Sequence, residues 1–417
     1  MIKRIKNSPF TMNSLALFAG SMTGSVLSYI FQLVVGRMVD VSTYGEVQSL
    51  SSLFALIAVP ATTISMVAVK FTAQAKATGD RAMGRSVFAY LNTRVMRYGI
   101  PVFVLSALLS PLVSNFLKID SAIPVIIIFF SMLVLFFSSV SGGMVVGWQK
   151  FRASGLAAAW GAFAKLVGGV ALVIWGLGVN GVVGGMLIGS LVAYVVTLFA
   201  IRFVFEKGED PKVVETKFDL GSMQRYVLPA LIANVAITIM GNADMVLAKH
   251  NLDAEVAGQY GALSIVGKII FFATGAIATV LFSTSSEKHH KKGDTKALFW
   301  YAALLMLILS AVAIVVYFSF PQFVMSMLFG GKYASVAGYL GWFAVVVTLF
   351  SLANLLLQYL LSINKTGVVY EYLAASLIMI LVILWKGTSI PVILAIVGAT
   401  QFLGVIFGLR AIIVKQS

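Results

Sequence analysis

Two lysines are the residues of this sequence whose positions most directly indicate chemistry. Lys165 and Lys268 each lie near the centre of a long apolar stretch, in a chain that otherwise keeps its charges outside such stretches. An ammonium group at the centre of a bilayer is costly even on lenient insertion scales, and intramembrane charges are by default candidates for function. A cation in this environment suggests an anionic ligand that binds transiently.

The composition indicates a membrane protein with many spans. Hydrophobic residues make up 60% of the 417 residues and charged residues only 11%, with a mean hydropathy of +0.98. This balance lies far outside that of soluble domains. A helix needs about 20 mostly apolar residues to cross the hydrocarbon core, and about twelve windows satisfy this requirement. The predicted spans are Phe10–Gly36, Val47–Val69, Tyr98–Leu117, Ile123–Gly147, Ala153–Leu177, Val179–Val204, Tyr226–Ala248, Val256–Ser283, Leu298–Phe320, Val336–Leu361, Val368–Trp385 and Ile390–Ile413.

The basic residues predict the orientation of these spans. If the amino terminus is cytoplasmic, most of the 30 Lys and Arg residues lie in cytoplasmic segments, as the positive-inside rule requires. Both termini are then cytoplasmic, and the first span, too long for a signal peptide, is a retained anchor. The net charge of +15 follows from this topology, so nucleic-acid binding is not predicted. The opposite side has Arg37, Lys118, Lys249, Lys332 and Lys386.

The sequence contains no recognisable catalytic or cofactor motif. It has no cysteine, which excludes disulfides and thiol chemistry, and no Walker-type phosphate loop. We find no paired acids and no nucleophile constellation. The sequence therefore predicts neither an enzyme nor a cofactor.

Short motifs recur at a nearly constant spacing, which indicates a duplication. The pairs separated by 213 to 215 positions are Asp40 with Asp253, Tyr44-Gly45 with Ala257-Gly258, Gly79-Asp80 with Gly293-Asp294, and Gln149-Lys150 with Asn364-Lys365. An even number of spans in each half gives both halves the same orientation. The prediction is an all-α polytopic membrane protein with two parallel six-helix lobes around a central cleft. Residues 1–204 form the first lobe, 205–221 a cytoplasmic linker and 222–417 the second lobe.

The repeated motifs resemble a known superfamily. The segments that carry the resemblance are Val41–Leu50 (VSTYGEVQSL), Ala254–Leu263 (AEVAGQYGAL) and Leu360–Gly367 (LLSINKTG). They are similar to oligosaccharide flippases of the multidrug, oligosaccharidyl-lipid and polysaccharide exporter superfamily. The resemblance implies a V-shaped pair of bundles that moves lipid-linked sugars across a bacterial or archaeal cytoplasmic membrane. Lipid II flippases of the superfamily usually have two more carboxyl-terminal helices, so an O-antigen or capsule repeat unit is the expected substrate.

The two lysines differ in what the resemblance implies for them. Small and polar residues share a helical face with Lys268, including Ser264, Gly275 and Thr279 within about 40°. Glycines surround Lys165 in the same way. Either face is a cavity wall or a close-packing surface on which the amine bonds to a neighbouring helix. The superfamily's cavity is lined mainly by the first, second, seventh and eighth helices, and a basic residue on the eighth recurs, which favours Lys268.

Other polar residues of these helices are further candidates. The predicted cavity contacts are Ser25, Ser28 and Gln32 in the first span, Gln48 in the second and Asn242 in the seventh. A polar stripe of this kind suits sugar hydroxyls and equally suits interhelical hydrogen bonds. Asp244 and Arg37 are predicted near the outer edge. For Asp244, a solvated rim charge or a partner of Lys249 is favoured over ion coupling, and Arg37 is either an interfacial anchor or a contact for the departing diphosphate.

Three functions remain open at this point. The favoured one is a flippase for a polyprenyl-diphosphate-linked oligosaccharide, with membrane lipids and a polysaccharide polymerase or glycosyltransferase as further partners. A cation-coupled multidrug antiporter would place carboxylates in its cleft, whereas the central charges here are positive. A membrane-embedded polymerase or acyltransferase would need a larger external loop. The sequence indicates neither the sugar nor the coupling ion.

Overall fold

Helices make up every regular element in the described parts of the chain. A computed structural model of the protein describes residues 9–206, 220–290 and 295–413. The α-helices in chain order are α1 Pro9–Met38, α2 Val41–Ile57, α3 Val59–Thr78, α4 Arg81–Arg94, α5 Ile100–Leu108, α6 Ser110–Phe116, α7 Ile123–Gly147, α8 Phe151–Ile174, α9 Gly178–Ile201, α10 Leu220–Asn251, α11 Ala254–Gly267, α12 Ile269–His290, α13 Lys296–Ser319, α14 Pro321–Phe329, α15 Leu340–Ser362, α16 Val369–Lys386 and α17 Ile390–Ile413. Short 3₁₀ or π segments occupy Val95–Gly99, Arg202–Val204 and Gly331–Tyr339.

Enough of these helices are long and apolar to confirm the predicted membrane-spanning architecture. Ten spans within the described residues meet the requirement, or up to twelve if each of two bent helix pairs counts as one. One pair is α2 with α3, whose break follows Ala58, and Pro60 lies in the first turn of α3. The sequence predicts this kink because proline cannot donate a backbone hydrogen bond. The protein is an all-α, multi-pass membrane protein.

The described residues form two compact units. The first contains 9–39 and 57–206, and the second contains 40–56, 220–290 and 295–413. Residues 40–56 fall in the predicted first lobe, yet they pack with the second unit. The predicted linker, 205–221, lies almost entirely outside the described residues.

Glycine contacts bring the helices of the first unit close together. Helix α8 packs between α1 and α9, and a Cβ placed on Gly20 would lie 2.4 Å from the Cα of Gly155. On its other side, a Cβ on Gly185 would lie 2.4 Å from the Cα of Gly169. Small residues allow such close approach, which is how membrane helices gain packing energy without a hydrophobic driving force.

Helix α15 forms the centre of the second unit. It packs against α12, α13 and α17, and most of its apolar residues are buried. The hydroxyls of two buried tyrosines form hydrogen bonds where α15 packs against its neighbours. The Tyr359 hydroxyl lies 2.9 Å from the Thr295 hydroxyl, and the Tyr372 hydroxyl donates to the Ala353 carbonyl at 3.1 Å. The first bond joins α15 to the residue before α13 and the second joins α15 to α16, both in an apolar interior where an unpaired hydroxyl is costly.

Residues 40–56 join the second unit through a crossing of α2 and α11. A Cβ placed on Gly45 would lie 2.8 Å from the backbone nitrogen of Gly258. A Cβ on Gly258 would lie 1.8 Å from the Val41 carbonyl oxygen. Gly45 and Gly258 are 213 positions apart, which is the spacing of the sequence repeat. The motif that indicated the duplication therefore marks a helix crossing that only glycine permits.

A repeated turn supports the duplication. Gln149 and Asn364, paired in the sequence repeat, both have positive φ, 56° and 60°. The lysine after each donates to a carbonyl at the end of a later helix: Lys150 to Ala200 at 2.9 Å and Lys365 to Ala411 at 2.7 Å. A cation at a helix carboxyl terminus complements the helix dipole. Burial beside these groups lowers the pKa of Lys150.

We expect Gly258→Ala to destabilise the protein far more than Gly142→Ala. The added methyl group at position 258 meets a backbone carbonyl, which cannot give way without moving α2, whereas nothing lies within 4 Å of a Cβ on Gly142. Overpacking typically costs about 1–3 kcal/mol, while alanine in a helix is favoured over glycine by about 1 kcal/mol. Thermal unfolding of the two purified variants in the same detergent measures the difference. Equal melting temperatures would contradict the close crossing.

Candidate functional site

Lys268 lies at the junction between α11 and α12 in the second unit. Helix α11 ends at Gly267 and α12 begins at Ile269, so the lysine occupies the single residue between them. Its backbone nitrogen donates to Ser264, and its carbonyl accepts from Phe272, both at 3.0 Å. The chain therefore stays helical through the junction. The lysine is partly exposed and lies well inside the membrane-spanning segment Ala254–Phe282.

A buried carboxylate on α10 lies within electrostatic range of this lysine. Asp244 interacts electrostatically with Lys268, and its Oδ2 atom accepts a hydrogen bond of 2.6 Å from the Tyr260 hydroxyl. Only 4% of Asp244 is exposed. Its Oδ1 atom has no hydrogen-bond partner within the described part of the chain. A cation from the junction, an anion from α10 and a phenol from α11 are thus combined at this site.

The prediction of a solvated rim charge at Asp244 is wrong. The residue lies about 10 Å from the end of α10, and the packing of Tyr260 against it removes it from solvent. The other favoured prediction, an ion pair with Lys249, also needs correction. The Lys249 ammonium lies 3.8 Å from the Glu46 carboxylate on α2 and is only 1% exposed. The position of a residue along a helix predicts its depth in the membrane but not which helix packs against it. Here the packing helices determine the surroundings of both Asp244 and Lys249.

The small polar face around Lys268 divides into two parts. On α11 the face is packed: Ser264 is 2% exposed, Gln48 is 4% exposed, and a Cβ on Gly261 would lie 2.9 Å from the Gln48 Cγ. On α12 the same face, with Gly275 and Thr279, borders a cavity of about 460 Å³. The face is therefore a close-packing surface before Lys268, on α11, and a cavity wall after it, on α12.

Lys165 has the contacts of the packing alternative. Its ammonium donates to the Ser28 hydroxyl on α1 at 2.8 Å and lies 5.3 Å from the centre of the Phe31 ring. The neighbouring glycines, Gly161 and Gly169, contact α9 and α1. The structure thus brings together Lys165 and Ser28, which the sequence predicts separately as cavity residues, and the role of each toward a substrate stays a prediction.

The remaining candidates belong to different units, Ser25, Gln32 and Arg37 to the first and Asn242 to the second. On α1, Ser25 and Arg37 are exposed and Gln32 is partly exposed. On α10, the Asn242 amide donates to the Thr238 carbonyl one turn earlier, at 3.0 Å. Sequence reasoning missed Tyr260 as the partner of Asp244, although it lies in the quoted AGQY motif, because the pairing requires two helices to meet.

Residues 10–287, more than half of the chain, match the family described as polysaccharide biosynthesis protein. The chain belongs to the polysaccharide biosynthesis protein family. The predicted resemblance is thereby confirmed. No curated protein matches the sequence.

Several solved structures of transporters have a fold similar to that of this chain. A multidrug resistance MATE family transporter of the MOP superfamily, in an inward-facing conformation, is similar with a TM-score of 0.75 at 12% identity, covering 94% of this chain and 98% of that chain. Lipid II flippase MurJ in an inward closed conformation has a TM-score of 0.72 at 14% identity, covering 96% and 87%. A MATE structure in complex with MaL6 has a TM-score of 0.66 at 13% identity, covering 97% and 96%. The polysaccharide biosynthesis family member therefore has the MOP-superfamily fold.

Proposed function

We propose that this protein is a flippase for polyprenyl-diphosphate-linked oligosaccharides. It moves them from the cytoplasmic to the outer leaflet of a bacterial or archaeal cytoplasmic membrane by alternating access, for cell-surface polysaccharide biosynthesis, with both termini cytoplasmic. Family membership supports the pathway. The single structural observation that carries the proposal is the position of Lys268 inside a membrane-spanning segment, directly before the helix α12 whose later residues line a cavity. The protein acts as a carrier without chemical catalysis.

Lys268 supplies the charge that a diphosphate needs on its passage through the membrane. A lysine ammonium is a compact cation suited to phosphate as a point charge. Asp244 balances this charge when no substrate is bound, which lowers the cost of keeping an ammonium in an apolar interior. The same carboxylate weakens the attraction for the diphosphate. Moderate binding suits a carrier, since a ligand bound too tightly in one state would hold the equilibrium there.

The other predicted contacts have secondary roles in this proposal. Lys165 with Ser28 offers a second cationic group in the first unit. The amides and hydroxyls of Gln32, Ser25 and Asn242 would contact sugar hydroxyls. The exposed Arg37 would contact the departing diphosphate.

A cation-coupled antiporter is the second candidate, and one observation favours it. Asp244 is buried and its Oδ1 atom lacks a hydrogen-bond partner among the described residues, as a carboxylate that takes up a proton or metal cation would. The same arrangement also fits a flippase driven by an ion gradient. The two candidates differ in cargo, so substrate accumulation distinguishes them.

Depletion of the protein in its native cell tests the function. We expect complete lipid-linked repeat units to accumulate on the cytoplasmic face, identified by mass spectrometry of the lipid extract and by protection from an added membrane-impermeant glycosidase. A drug antiporter would instead give normal lipid-linked intermediates and higher intracellular drug levels. A polymerase defect would leave single units exposed on the outer face, which would contradict the proposal.

A further inference from the structure

A cavity of about 460 Å³ lies between α12 and α15 in the second unit. Its volume falls in the range of sites that bind small molecules, about 300–1,000 Å³. Two phenylalanines, a hydroxyl and two amides line it. Its lining includes Phe271, Gly275, Thr279, Phe282, Asn354 and Gln358.

The side-chain amides of Asn354 and Gln358 are the polar groups of the cavity lining that have no hydrogen-bond partner in the described part of the chain. Asn354 is 9% exposed and Gln358 is partly buried, and neither side chain is hydrogen-bonded within the described residues. They are four residues apart, so they lie on one face of α15. An amide can donate two hydrogen bonds and accept two. Both amides line the cavity, so their donors and acceptors are available to a polar ligand that enters it.

The aromatic residues limit which polar ligand fits. Phe271 is held in place by Phe350, with ring centres 4.9 Å apart and ring planes at 32°. Phe271 and Phe282 add flat apolar surface to the cavity. Pyranose sugars present an apolar C–H face beside a ring of hydroxyls. Aromatic rings complement the C–H face, and amides, which both donate and accept hydrogen bonds, complement the hydroxyls.

The cavity is lined by residues that follow Lys268 on the same run of helix. Phe271 follows Lys268 by three residues, a rise of about 4.5 Å on the same run of helix. In a diphosphate-linked glycan, the sugars begin directly after the phosphates. A diphosphate at Lys268 would therefore place the first sugars along α12, in reach of the cavity.

We propose that the cavity between α12 and α15 is a glycan subsite that binds the first sugars of the lipid-linked substrate. Asn354 and Gln358 bind the sugar hydroxyls, and Phe271 and Phe282 pack on the sugar face. This inference rests on the proposed flippase function and adds the residues that recognise the sugar. An acyl chain is the competing occupant, but it would leave both amides unpaired.

Photocrosslinking in the native cell tests the occupant directly. Phe282→p-benzoylphenylalanine places a photoreactive ring in the cavity of the full-length protein, and Phe271→p-benzoylphenylalanine serves if the first variant fails to fold. After irradiation, mass spectrometry of the purified protein identifies the adduct. We expect fragments that contain sugar residues. An adduct of a phospholipid acyl chain, or no adduct with either variant, would overturn the proposal.

Matched substitutions connect the adduct to the amides. Asn354→Leu should lower the yield of sugar adduct about fivefold, as expected for loss of one hydrogen bond, and Gln358→Leu should add to this loss. The control is Thr348→Val, on the same helix, where a buried hydroxyl bonds to the Ala344 carbonyl and does not line the cavity. Thr348→Val should leave the yield of sugar adduct unchanged. If Asn354→Leu also gives the yield of the photocrosslinking variant that retains both amides, the amides do not bind the glycan and the proposal is wrong.

Transport assays separate this inference from the function on which it rests. In vesicles, Asn354→Leu should slow movement of the lipid-linked oligosaccharide and leave movement of sugar-free polyprenyl diphosphate unchanged. Equal slowing of both would overturn the subsite. If the wild-type protein moves neither lipid, the flippase function fails, whereas a sugar adduct in the cavity would still establish glycan binding.

Discussion

Lys268→Ala is expected to slow transport of the lipid-linked oligosaccharide by at least about tenfold. A hydrogen bond to a charged group contributes about 1.5–3 kcal/mol, which corresponds to about 10- to 100-fold. Lys268→Arg keeps the charge at the helix junction and should retain more activity, while Lys268→Glu repels a diphosphate and should be least active. Reconstituted vesicles with the labelled lipid-linked substrate measure the rates. Wild-type rates in a folded Lys268→Ala protein would contradict the screening role.

A double variant separates substrate binding from charge balance at this site. Removal of Lys268 leaves the Asp244 carboxylate buried without its cation, so a loss of activity could reflect a loss of folding. In Lys268→Ala/Asp244→Asn both charges are absent. We expect the double variant to recover thermal stability but not transport. Recovery of transport would mean that Lys268 serves only as the counterion of Asp244.

Lys165→Ala is the matched control for the loss of an intramembrane cation. Its amine is already bonded to Ser28 and lies against Phe31 in the first unit. We expect a smaller effect on transport than that of Lys268→Ala, with part of the effect arising from the lost interhelical bond. Equal losses for the two variants would indicate that both lysines contact the diphosphate.

The parts of the fold that could be predicted from the sequence depend on local properties. Hydropathy and length define the spans, and proline chemistry explains the break before Pro60. The repeat could be found because it preserved motifs whose geometry is local, such as the positive φ of Gln149 and Asn364. The central position of Lys268 in its span was likewise evident from hydropathy alone.

The parts that could not be predicted depend on contacts between distant helices. The sequence does not show that Tyr260 covers Asp244 or that Glu46 reaches Lys249. It also did not single out Asn354 and Gln358, although amides four residues apart on an apolar helix are a readable signal. Their importance became apparent only where the helix opposite them leaves a cavity.

The ion pair between α2 and α10 is expected to contribute measurably to the stability of the second unit. Glu46→Gln leaves the Lys249 ammonium, 1% exposed, without the carboxylate at 3.8 Å. Breaking a fully buried pair by removing one partner typically costs about 3–5 kcal/mol, and since the Glu46 side chain is 21% exposed, we expect a cost at or below the lower end of this range. Thermal unfolding in detergent should show this as a large drop in melting temperature for Glu46→Gln.

Two comparisons make this prediction specific to burial. Glu46→Gln/Lys249→Met removes both charges and should recover most of the stability, because replacing a buried pair by apolar groups is often neutral. The pair of Arg410 and Glu371 offers an exposed counterpart, with 60% and 32% of the side chains accessible. Glu371→Gln should therefore cost no more than about 1 kcal/mol. If Glu46→Gln and Glu371→Gln lower the melting temperature equally, the Lys249 ammonium is stabilised by groups other than Glu46, and α2 is held on the second unit mainly by the glycine crossing.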